Sequence, residues 1–87
     1  MSDSLERLLQ RVPEGVSHAR YAGRRWIVTK VPSARGRAVR LYAEELGGPD
    51  FVSANAYLID GAWTLKPCEM PEERVMAFLA SARSTFG

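Results

Sequence analysis

Eighty-seven residues are enough for one small domain. Hydrophobic residues make up 46% of the chain and charged residues 25%, which excludes a segment too polar to fold. Cys68 is the single cysteine, so an intramolecular disulfide framework is excluded too, and a net charge of +2 taken alone points to no partner.

The opening residues, MSDSLERLLQRV, lack the cationic start and continuous apolar stretch of a secretory leader. No run approaches the ~18 apolar residues of a membrane span. With the lone cysteine, these features lead to the expectation of a cytoplasmic protein with no membrane partner. Residues 3 to 12 carry Leu5, Leu8, Leu9 and Val12 at the i, i+3, i+4, i+7 spacing of a helix face. Asp3 with Glu6 three residues later resembles a capping box, and Pro13 and Gly15 end the pattern. So short a helix must dock its leucines to persist, on its own sheet or on a second copy.

Five strand patterns follow. Val16 to Ala22 leads into a tight turn at Gly23. Arg24 to Val31 alternates Trp26 and Val28 on one face with Arg25, Ile27 and Thr29 on the other. After the loop Pro32–Gly36, residues 37 to 46 alternate Val39, Leu41 and Ala43 with Ala38, Arg40, Tyr42 and Glu44; the alternation fails at Leu46, so the strand ends or bulges near Glu45. Gly47-Gly48-Pro49-Asp50 is a turn, and Phe51 to Ile59 is a strand with apolar groups on both faces, as in a central or doubly buried strand. Asp60-Gly61 is a two-residue hairpin turn before Ala62 to Lys66, in which Trp63 and Leu65 share a face. Pro71, Glu72 and Glu73 open a last helix with Val75, Phe78, Leu79 and Ala82 as its stripe, Met76 beside it and Arg83 in its last turn. The expected fold is α+β: an antiparallel meander of about five strands, with a short N-terminal helix and a C-terminal helix on one face, in a single domain of residues 1–87. Two short helices cover about one face of such a sheet, which leaves the other polar or covered by a partner.

Catalytic and metal chemistry find little support. His18 and Cys68, the one histidine and the one cysteine, stand fifty residues apart and are too few for a four-ligand zinc site. Glu44 and Glu45 point to opposite faces; Glu69, Glu72 and Glu73 gather at a helix start, and Asp50 and Asp60 belong to turns. The glycines form neither GxGxxG nor GxxxxGK[ST]. The expectation is therefore a non-enzymatic domain without cofactor or metal.

One stretch points outward. From His18 to Arg40 the chain holds seven of its twelve basic residues and none of its ten acidic ones, a block of +7 in a frame of −5. Such a dipolar distribution steers anionic partners. The candidate nucleic-acid-binding residues are Arg20, Arg24, Arg25, Lys30, Arg35, Arg37, Arg40 and Tyr42, with Tyr21 and Trp26 interleaved. If Trp26 and Val28 face the core, Arg25, Arg40 and Tyr42 share the outer face, joined by His18 and Arg20 only if Val16 is not core. Arg24, Lys30, Arg35 and Arg37 are expected at strand ends or in loops. Two further readings compete: a protein–protein module, homodimeric or meeting an acidic protein surface, and an enzyme or small-ligand binder with its pocket between sheet and helices near Asn55, Tyr57, Cys68 and Glu69.

Overall fold

The structure, a computed structural model, describes residues 4–84. Its elements are α1 (Leu5–Gln10), β1 (Gly15–Tyr21), β2 (Arg24–Ser33), β3 (Ala38–Glu45), β4 (Phe51–Ile59), β5 (Ala62–Pro67), α2 (Glu72–Ser81) and β6 (Arg83–Ser84). The strands form one antiparallel sheet in the order β5-β4-β3-β2-β1-β6. The first five are the expected meander.

The sixth strand adds to that expectation. Helix α2 stops at Ser81, and Ala82 turns to extended backbone (φ −68°, ψ 139°). Arg83 therefore lies beyond the helix, not in its last turn, and pairs with Arg20 while Ser84 pairs with Ala19. A β edge offers unpaired backbone groups, and these two residues take up part of that of β1.

Hydrophobic burial explains the layering. Trp26, Val28, Leu41, Ala43, Val52, Ala54, Ala56 and Leu65 point from the sheet towards Leu8, Leu9, Val75, Phe78 and Leu79 of the helices, and all are buried. The alanines leave room for the helices to lie close. Tyr21, Trp26 and Phe78 form an aromatic cluster with centroid separations of 5.0 to 5.7 Å, and the Trp26 Nε1–H donates to the Tyr21 carbonyl at 3.1 Å.

Helix α1 is only six residues long, and its two ends are held by side chains. Ser4 Oγ accepts from the Arg7 amide at 3.2 Å, so Ser4 is the N-cap; Asp3 lies outside the described residues. At the other end Lys30 Nζ donates to the carbonyls of Leu9 (2.7 Å) and Val12 (3.0 Å). A cation on carbonyls at the end of a helix is favoured by hydrogen bonding and by the helix dipole; the Leu9 carbonyl also accepts from the Val12 amide at 3.2 Å. Arg74 ties α2 to the start of β4, donating to Asp50 Oδ1 at 2.7 Å and to the Phe51 carbonyl at 3.3 Å.

Candidate nucleic-acid interface on the open sheet face

Both helices lie on one side of the sheet, so the strand positions of opposite parity form an open face. Val16 is two-thirds exposed. It is therefore not core, and His18 and Arg20 join the outward set. The register then orders the face into rows. Arg20 stands opposite Arg25. The next row runs His18–Ile27–Glu44–Phe51, and the one after it Val16–Thr29–Tyr42–Ser53. Val31–Arg40–Asn55–Lys66 follows, and Ala38, Tyr57 and Thr64 lie beyond.

Two cationic groups thus bracket an aromatic and apolar centre. Arg20 and Arg25 mark one end; Arg40 and Lys66, two strands apart, mark the other. Six residue steps along β2, from Arg25 to Val31, separate the Arg25 row from the Arg40 row, a span of about 20 Å. Among the described residues, Arg20, Arg25, Arg40 and Lys66 have no hydrogen-bond or ion-pair partner for their side chains. Glu44 supplies the one carboxylate among the open-face strand positions, and it is engaged: the Tyr42 hydroxyl donates to Glu44 Oε1 at 3.1 Å. Desolvation of the phenol, then this bond and the Glu44 charge, hold the Tyr42 hydroxyl above its ordinary range. The Tyr42 ring stacks with Phe51, with centroids 6.3 Å apart and planes at 26°. Phe51, Tyr57, Ile59, Val31 and Val16 are all exposed here.

The sequence candidates divide accordingly. Arg20, Arg25, Arg40 and Tyr42 come together on the open face. Lys30 does not: it lies inside β2 on the helix side, not at a strand end, and its ammonium is committed to α1. Arg24 sits at the start of β2 and pairs with Glu45, Nη1 to Oε2 at 3.0 Å. Arg35 and Arg37 belong to the β2–β3 connection, where Ala34, Arg35 and Gly36 all have positive φ and Arg37 Nε folds back on the Ala34 carbonyl at 3.3 Å. Trp26 is buried in the core and Tyr21 packs edge-to-face against it, half-buried. Lys66, Phe51 and Tyr57 are absent from the nucleic-acid candidates of the sequence, which names Tyr57 only for a pocket, because only the register of β4 and β5 puts them beside Arg40 and Tyr42.

The residues named for a pocket between sheet and helices, Asn55, Tyr57, Cys68 and Glu69, do not all face that space. Asn55 and Tyr57 belong to the open face, and Asn55 Nδ2 contacts Cys68 Sγ at 3.7 Å. A cleft of about 440 Å³ opens instead on the helix side, floored by Ala19, Val28, Phe78 and Leu79, with Arg11, Arg83 and Ser84 among its lining. Among the described residues no three of His, Cys, Asp and Glu gather as metal ligands, and no described helix is long and apolar enough to cross a membrane. Comparison with protein-family models, curated protein sequences and solved structures finds no match to this chain.

Proposed function

We propose that this protein is a non-enzymatic nucleic-acid-binding domain that uses the open face of its sheet. The carrying observation is the grouping of Arg20, Arg25, Arg40 and Lys66 around Tyr42 and Phe51 on a surface that no described element covers. Unpaired cations suit phosphates, and the exposed Phe51 ring, beside a half-buried Tyr42, suits bases. Fluorescence anisotropy with random-sequence DNA and RNA at low salt tests the reading. Binding in roughly the micromolar range is expected, the upper range of sequence-independent affinities. Reversing Arg20, Arg25 and Arg40 to Glu should abolish it while the circular dichroism spectrum stays unchanged. No binding at tens of micromolar by the parent protein would sink the proposal.

The exposed Val16, Val31, Phe51, Tyr57 and Ile59 favour a second reading, in which the same face meets a protein. A symmetric homodimer through it would set the patch of one copy against the same patch of the other, cations included. Such like-charge contact opposes association, so the geometry ranks an anionic partner first. Light scattering across concentrations separates the two: a stable dimer that Ile59→Lys dissociates would favour the protein reading.

A further inference from the structure

We infer that the open face takes its nucleic acid as an unpaired strand, with bases stacked on the Phe51–Tyr42 pair and phosphates at the two cationic ends. This rests on the nucleic-acid reading above and names the form of the ligand.

Shape argues first. The major groove of B-form DNA is about 12 Å wide and admits a helix or a two-stranded ribbon. Strands β1 to β5 lie side by side at about 4.8 Å spacing, so the face is about 19 Å across before side chains are added. It fits no such groove, and the major groove of A-form RNA is narrower still. Against a duplex the face could meet only phosphates along a convex backbone.

The distribution of side chains argues second and independently. The aromatic pair occupies the middle of the face, in the two rows between the Arg25 and Arg40 rows. Phosphates on a duplex surface would gain nothing from an exposed phenyl ring. Unstacked bases would, because every base offers a π-face whatever its identity. Phe51 and Tyr42 stack with their planes at 26°, and the Tyr42 hydroxyl donates to Glu44, so the two rings already sit together without a ligand. Ser53, Thr29 and Asn55 border it with hydrogen-bonding groups. About 20 Å between the cationic ends leaves room for a few splayed nucleotides.

The test uses three labelled probes with the full chain: an oligothymidylate of about 15 nucleotides, a duplex of the same length, and an abasic strand with the same phosphates. The single strand should bind at least tenfold more tightly than the duplex, and removal of its bases should cost at least fivefold. Phe51→Leu, which keeps an apolar side chain on an exposed position, should lose at least fivefold on oligothymidylate and little on the abasic strand. A duplex that binds as well as the single strand overturns the inference and leaves the nucleic-acid reading standing. An abasic strand that binds as well as oligothymidylate does the same. Failure of all three probes overturns both.

Discussion

Lys30 shows how far one side chain's role depends on a distant partner. By composition it belongs to the basic block and looks like an anion contact. In the fold its ammonium closes the end of α1, whose six residues cannot hold themselves in water. Hydrogen bonds involving a charged group contribute about 1.5–3 kcal/mol. Lys30→Met, which keeps the aliphatic stem, should therefore cost about 2 kcal/mol. That corresponds to a fall in Tm of about 10 °C for a domain of this size. The same variant should bind nucleic acid as the parent does, since the lost charge is on the helix side. Thermal denaturation and anisotropy on one preparation check both halves, and a large loss of affinity with unchanged Tm would reverse the assignment. Asp50 is a milder case. Its hydrogen bond with Arg74, helped by the Phe51 amide, holds its carboxyl below the ordinary range. The pair therefore supports the fold above the usual carboxylate pKa and is lost as pH falls through the depressed one. Both partners are well exposed, so this contribution is small.

At the scale of elements, alternation and turn chemistry carry most of the information. Asp60-Gly61 adopts positive φ at both residues (49° and 79°), the geometry that a two-residue hairpin of this hand demands and that Asp-Gly supplies. The β1–β2 hairpin uses the same geometry with Ala22 (53°) and Gly23 (75°). Alanine has no local hydrogen bond to offset the left-handed conformation, which costs about 1 kcal/mol. Ala22 is exposed, so Ala22→Asn changes little else. It should stabilise the protein by about 0.5–1 kcal/mol and raise Tm by a few degrees, as thermal denaturation would show. An unchanged or lower Tm would mean that the turn is not limiting. Reading the strands from the sequence works because period-2 patterns and turn residues are local. It groups Trp26 with Val28 and Val39 with Leu41, sets Arg25, Arg40 and Tyr42 on the opposite parity, and leaves the two apolar faces of Phe51–Ile59 undecided. What it misses is non-local or too short to have a period. Arg83–Ser84 has two residues and hence no alternation, and Lys30 bonds carbonyls 21 and 18 positions away. Phe51 and Lys66 reach the site only through cross-strand register, which side-chain parity alone does not give.

For the whole molecule the consequence is a net cationic open face beside a helix layer of mixed charge, in which Arg7 and Arg74 accompany the acidic residues. The acidic residues that balance the basic block include Glu6 on α1 and Glu72 and Glu73 on α2, all exposed on the helix side. The open face is left with Arg20, Arg25, Arg40 and Lys66 against Glu44. Each cation that displaces a counterion from a single strand adds about −0.7 to the slope of log affinity against log salt. All four in contact give a slope of about −3, or about a fifty-fold loss of affinity from about 50 to about 200 mM salt. Arg40→Gln should make the slope shallower by about 0.7. Arg24→Gln should leave it unchanged, because Glu45 already neutralises that guanidinium. Titrations of the three proteins with one labelled strand at several salt concentrations decide the matter. Affinity that persists with a flat slope would place the binding energy in the exposed Val31, Phe51, Tyr57 and Ile59 rather than in the arginines, and would favour the protein partner over the nucleic acid.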